Sequence, residues 1–362
     1  MKNFLALILA VVASVGFSQN IWIADNRPTA PTGAHVFADV TSAIGAASAG
    51  DIIHLIPSQT AYTDFIITKD SLTFFGIGFD PEKDQPNKVT VANITIATDV
   101  YGTRISGINA TGSIQIGNAD GSLGNIFIEN GQILRIYSTT AGSFTKSISN
   151  VVIRNCVLGS GLTSTIHAID LLMEAEPTSI VITNNIFLGS NYNSSGNGFG
   201  SVRVADAIIK NNLFLGDGSQ NDEAFEGVLT STISNNVFFG RHPSIGTTNC
   251  TFSKNTSFGS FDNQFPVGVN GNSGDTLGYT NVDPVLVNVP LVDTWSFEYD
   301  PSPDIGSPLL GDGTDGNDIG VTGGTIPFSM TGTPLPVIKV LRTPEVIKQG
   351  TNLNATIEAV GN

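Results

Sequence analysis

The sequence predicts an all-β protein wound as a right-handed parallel β-helix, a solenoid with a short N-terminal capping helix and a C-terminal β-strand or hairpin extension. Three observations carry this expectation. A six-residue phrase recurs through the middle of the chain, the runs around it are rich in Ile, Val, Phe and Thr without helical period, and Gly, Asn, Ser and Asp break those runs.

Residues 1–18 read as a secretory signal peptide: Lys2, an apolar stretch from Phe4 to Val15, and the small-residue exit Gly16-Phe17-Ser18. The stretch is about a dozen residues, short of the roughly 20 that a membrane-crossing helix needs. Cleavage after Ser18 and no membrane span are expected, with an uncleaved N-terminal anchor as the alternative. Residues 19–50 hold a strand and a capping helix. From Ala38 to Ala47 small and apolar residues recur at helical spacing, Asp39 or Ser42 is placed to cap them, and Gly50 ends the run. Such a helix would cover the open first coil, as a solenoid requires. Asp51 to Ile56, Phe65 to Ile67 and Leu72 to Gly76 read as that first coil, opening a β-helix over 51–331 that includes its capping segment.

The recurring phrase is Ile128-Glu129-Asn130-Gly131-Gln132-Ile133, then Ile153-Arg154-Asn155-Cys156-Val157-Leu158, Ile182-Thr183-Asn184-Asn185-Ile186-Phe187, Ile209-Lys210-Asn211-Asn212-Leu213-Phe214 and Ile233-Ser234-Asn235-Asn236-Val237-Phe238. A degenerate copy follows at Phe252 to Ser257. The copies recur every ~19 to 29 residues, the spacing of solenoids. A strand of four or five residues cannot bury its apolar face alone, whereas stacked coils supply like neighbours above and below. The Asn marks the corner, because it tolerates left-handed backbone, and Asn amides stacked at one turn can bond one another along the axis. The alternative is Asn-rich loops joining the hairpins of a sandwich. Parallel crossovers are almost always right-handed.

Beyond the coils, residues 332–362 change character. Val337 to Leu341 and Leu353 to Ala359 alternate as two strands around Pro344 and Gly350, a hairpin either folded back on the solenoid or offered as an edge to a partner. The two cysteines, Cys156 and Cys250, fall four coils apart, roughly 19 Å at ~4.8 Å per strand and too far for a disulfide. Two buried free thiols are expected.

Residues Ile21 through Gly76 and the Asn-bearing coils resemble right-handed parallel β-helix repeat proteins of the pectate-lyase-like superfamily. Val282-Asp283-Pro284, Ser307-Pro308, the run from Asp312 to Gly320 and Gly323-Gly324 are similar to the C-terminal closing sequence of secreted bacterial members, including those called choice-of-anchor proteins. The resemblance spans about residues 20 to 330. It implies the fold and leaves the function open, since the fold hosts lyases, hydrolases, epimerases and adhesins.

Acidic residues exceed Lys plus Arg by fifteen, 31 against 16, so the long-range field repels nucleic acid and anionic lipid. The same sign weighs against a polyanionic substrate unless a basic groove or bridging Ca²⁺ reverses it locally. The Asn-Thr-Asp, Asp-Asp and His-Gly motifs of polygalacturonase-like hydrolases are absent. Inverting hydrolysis needs only two carboxyls roughly 6.5 to 9.5 Å apart, which neighbouring coils could supply without a motif.

The candidate binding residues are His167, Arg203 and Glu226, placed outward on successive coils, with Asp170, Asp217, Asp222, Glu223, Arg241 and His242 in nearby turns. The bland alternative is an ordinary solvated sheet face. Aromatic platforms for sugar rings are few: Tyr137, Tyr192, Trp295 and Tyr299. Asp312, Asp315 and Asp318 with Gly313 and Gly316 are read first as a structural turn and second as a Ca²⁺ loop; no other cofactor or metal site is expected. The sequons Asn93-Ile94-Thr95 and Asn249-Cys250-Thr251 count only where secreted chains are glycosylated. The leading expectation is a secreted or cell-surface, non-catalytic protein presenting a rigid face to polysaccharide or a surface component. The alternatives are a polysaccharide lyase or glycoside hydrolase acting on an acidic polysaccharide, and a structural or adhesin role.

Overall fold

The computed structural model describes residues 19–79, 88–138, 146–160, 162, 166–172, 175–188, 201–219, 223–243, 246–275, 279–292, 294–329, 337–342 and 356–360. The expected signal peptide, Asp222 and Tyr192 lie outside them. The chain forms a parallel β-solenoid: one sheet of 12 strands and one of 14, in which successive coils pair in parallel register. The 14-stranded sheet is bent, because strands Asn109–Ile116 and Gln132–Ser138 run across two arms with a register shift between Ile133 and Arg135. Each central coil therefore has three faces. The first carries strands such as Lys146–Arg154 and Ala175–Thr183, the second Val157–Leu158 and Ile186–Phe187, the third Ile169–Asp170, Val202–Ala205 and Phe225–Leu229.

Alternation along each strand decides what is inside. Ile126 and Ile128 are buried while Phe127 between them is exposed, and Ile153, Ile182, Ile209 and Ile233 repeat the inward position coil after coil. Phe187, Phe214 and Phe238 stack down the interior at 4.6 and 4.8 Å between ring centroids, within 7° of parallel. Such a column follows from placing the same ring at the same position of coils spaced ~4.8 Å apart. Phe265 meets Phe238 edge-on at 5.8 Å at the C-terminal end of the column. At the other end lies the helix Val40–Ala46 (α1), with Asp39 as its cap, accepting a 2.7 Å bond from the Ser42 amide; Val40, Ala43 and Ile44 face the core. Lys69 donates to the carbonyls of Gly45 and Ala47 at the far end of α1.

The two corner positions of the repeat, both Asn in the three copies beginning at Ile182, Ile209 and Ile233, divide the labour. The first takes the corner: Asn130, Asn155, Asn184, Asn211 and Asn235 all have φ between 53° and 56°. The second turns its amide inward. Asn185 donates to Asn212 at 3.1 Å, Asn212 to Asn236 at 2.9 Å and Asn236 to Asn255 at 2.9 Å, and each amide also donates to a carbonyl one coil back. A further corner falls within the long first-face strands at Asn125, Asn150 and Ser179 and just before the shorter ones at Asp206, Thr230, Asn249 and Asn270, all with φ of 47° to 58°. Cys156 and Cys250 are both free and buried.

Residues 279–328 run along the flank of the coils. Their Leu309, Ile319, Val321 and Phe328 cover an outward row of the second face, Val157, Ile186, Leu213 and Val237, which is thereby almost wholly buried. The corner Asn residues hold this strap. Asn184 donates to the carbonyls of Val321 and Gly323, each at 2.8 Å, Asn211 to that of Gly320, and Asn235 exchanges bonds with Thr314. Lys254 pairs with Asp312 at 3.1 Å, so the strap runs from late coils back toward early ones. Asp315 and Asp318 accept bonds from the Asn317 and Gly311 amides inside the same turn. Strands Val337–Arg342 and Thr356–Val360 pair antiparallel. No helix among the described residues is long and apolar enough to cross a membrane.

Candidate functional site

Charged side chains cluster on two faces: Arg104 and Arg154 both pair with Glu129 on the first, and the third carries a row that runs from coil to coil. The inward positions of the third face, Ile114, Ile136, Ile169 and Val202, are buried, so the residue after each points outward. Register places Gln115 beside Tyr137, Tyr137 beside Asp170 and Asp170 beside Arg203. A register shift between Val202 and Val204 then brings the next coil's Glu226 and Gly227 alongside Arg203. The result is a row of one polar side chain per coil, running down the axis.

The row is tied together from within. Tyr137 donates to Gln115 at 3.3 Å, the Arg135 guanidinium lies 4.3 Å from the Tyr137 ring centroid, and Arg135 pairs with Asp170 at 3.2 Å. Asp170 is only 1% exposed, so Arg135 is needed to offset the desolvation of its carboxylate. Arg203 makes no such pair with a described residue. Its stem lies along Gly227, where an added Cβ would stand 3.4 Å from Arg203 Cγ, and where φ is +77°, a conformation glycine accepts without strain.

The sequence placed His167, Arg203 and Glu226 outward together, and the structure separates their roles. Arg203 is partly exposed and Glu226 keeps 40% of its side chain in solvent. His167 is buried, with Nδ1 3.9 Å from Glu226 Oε2. Glu223 lies nearby, its carboxyl pushed up to about 7 by burial and then by the charge of Glu226, against the opposing pull of Arg241. Arg241 is fully buried, donating to Ser201 Oγ and to the Glu223 carbonyl, each at 2.8 Å. It is a structural cation rather than the exposed turn residue expected. His242 pairs in backbone register with Glu223 and is buried too. Asp217 accepts from the Ser219 amide in its own turn. Trp295 and Tyr299 belong to the strap, 5.6 Å apart, which leaves Tyr137 as the described aromatic of this face. Sequence reasoning passed over Arg135 and Gln115, although the alternation Ile114-Gln115-Ile116 and Leu134-Arg135-Ile136-Tyr137 carries the signal.

Among the described residues no three His, Cys, Asp or Glu side chains gather closely enough to hold a metal ion. Comparison with known proteins finds no matching family model and no matching curated protein.

The Glu223 carboxyl has a stability consequence with a definite sign. Its value in the fold lies above the ordinary 4.5, so the fold favours the protonated form. That contribution is complete below about pH 4.5 and is lost as pH rises through about 7. Glu223→Gln, which cannot ionise, should show a smaller fall in melting temperature than the parent across that window. Parallel curves for the two proteins would refute the assignment.

Proposed function

We propose that this chain is an exported right-handed β-helix of the pectate-lyase-like kind that binds a polysaccharide along its third face. The observation that carries the reading is the in-register row Gln115, Tyr137, Asp170, Arg203, with Glu226 on the next coil. Groups repeating every ~4.8 Å on a rigid sheet suit a polymer laid along the axis, because neighbouring coils meet neighbouring sugar rings. Tyr137, its ring fixed by Arg135, offers an apolar platform, and Arg203 offers a planar guanidinium to hydroxyl or acidic groups. Preorganisation by the sheet lowers the ordering cost of binding.

The test is retention of the mature protein on neutral and acidic polysaccharides, followed by titration calorimetry. Arg203→Ala and Tyr137→Ala should each weaken binding roughly tenfold, the first with unchanged melting temperature and the second with a small fall from the lost contacts to Gln115 and Arg135. Retention untouched by both substitutions would end the reading. A hydrolytic reading rests on one further observation. Glu223, its carboxyl pushed up to about 7 by burial and by the charge of Glu226, neighbours a second carboxyl, and a pair of carboxyls is the element of glycosidic acid and base catalysis. Release of reducing ends in the same assay, abolished by Glu223→Gln, would favour it.

A further inference from the structure

Where strands Asn109–Ile116 and Gln132–Ser138 bend from the second face to the third, a cavity of about 320 Å³ opens on the outer side of the bend. Lys88, Thr90, Asn109, Thr111, Gln132 and Ser160 supply its polar lining. That volume is ample for one sugar-sized molecule.

The cavity continues a row already described. Thr90 pairs with Asn109, Ala110 with Ile133, and Gln132 with Val157, so Thr90, Asn109 and Gln132 occupy the outward position that later coils fill with Val157, Ile186, Leu213 and Val237. The later residues are apolar and lie under the strap. Polarity thus changes along one structural position, from a covered apolar row to an open polar one.

Two features show what the open part accepts. Asn109 is 5% exposed, and its Oδ1 is sealed from solvent without a hydrogen-bond donor. Buried acceptors are almost always satisfied, and no described residue supplies this one with a donor, so a slight opening of the amide toward the cavity would let a bound hydroxyl satisfy it. The Lys88 ammonium, 5.6 Å from the Phe297 ring centroid, is the sole charged group among the described lining residues. On a chain of net charge −15 this is a local reversal of sign. Although Lys88 reaches solvent, partial desolvation holds its ammonium below the ordinary value, and a bound anion would offset that.

We propose that this cavity binds a small polyhydroxylated carboxylate, with the carboxylate on Lys88 and the hydroxyls on Thr90, Asn109 and Gln132. The site lies apart from Arg203 and Glu226 and stands whether or not the third face holds a polymer.

Gluconate and glucitol form a matched pair of probes, differing by a carboxylate in place of a hydroxymethyl group. Titration of the full mature chain, followed by calorimetry or amide chemical shifts, should show saturable gluconate binding roughly tenfold tighter than that of glucitol. Lys88→Met, at an exposed position, should erase that preference. Ser160→Trp, also at an exposed position, should block both probes without moving the melting temperature, and Arg203→Ala should leave gluconate binding unchanged. A cavity that holds only water would give no saturable binding of either probe and would overturn the proposal. Equal affinity for the two probes, or gluconate binding that survives Ser160→Trp, would overturn it as well.

Discussion

Replacing Asn212 with Leu should cost about 3–5 kcal/mol and lower the melting temperature more than any single change on the outer faces. The side chain is wholly buried. Its Nδ2 donates to the carbonyls of Ile182 and Lys210 and to Asn236 Oδ1, and its Oδ1 accepts both the backbone and side-chain N–H groups of Asn185. Leucine keeps the branched shape, is bulkier, and supplies none of these bonds. The Asn185 backbone N–H would be stranded away from water and the Ile182 carbonyl would lose its side-chain donor, at about 1–3 kcal/mol each before relaxation, while the Lys210 carbonyl keeps the Asn184 N–H. The contrast is Asn130→Gly, one corner position earlier in its own repeat. Asn130 has φ of 56°, which glycine adopts freely, and its side chain donates to Ser106 Oγ. That change should cost about 1 kcal/mol or less. Chemical denaturation of the two variants would decide the matter; equal losses would mean that corner geometry, not the inward amides, sustains the coils.

That contrast also locates the limit of what the residues disclose. The Asn-Asn phrase was legible as a corner because it repeats with its apolar neighbours in step. The division between a left-handed first Asn and an inward second one was not, because both residue types are identical in sequence and differ only in backbone direction. The further corner of the first face was missed altogether: Asn125, Ser179, Asp206 and Thr230 share a conformation without sharing a residue type. On the third face the outward placement of Arg203 and Glu226 followed from alternation. The burial of His167 and Arg241 did not, because it depends on which neighbouring turns close over them, a matter of loops rather than of strand period. The orphaned Asn109 carbonyl and the cavity beside it arise from the bend between two faces, a property of three consecutive coils that no single repeat encodes.

The strap gives the second large effect. Val321 is 1% exposed, packed in the cluster that covers Val157, Ile186, Leu213 and Val237, and its carbonyl accepts from Asn184. Val321→Asp would bury an unpaired carboxylate, a change of about 3–5 kcal/mol. The strap is joined to the coils by side-chain bonds from the corner Asn residues, by Lys254 to Asp312 and Tyr279, by scattered backbone bonds such as Gly320 to Asn235, and by one apolar seam, whereas the coils are joined to one another by continuous parallel pairing and an interior phenylalanine column. The weaker attachment should give way first, since local unfolding follows the lowest local stability. Expected is a protein that keeps its far-UV circular dichroism, binds a hydrophobic dye on the newly exposed second face, and is cleaved rapidly by protease between Thr314 and Ser329. Leu310→Asp, at a strap position 47% exposed, should do none of these. Loss of strap and coils in one transition would show instead that the flanking segment is part of the same cooperative unit. The four outward apolar residues beneath it would then be core in every energetic sense, and the solenoid would owe its stability to a fourth layer outside the coil.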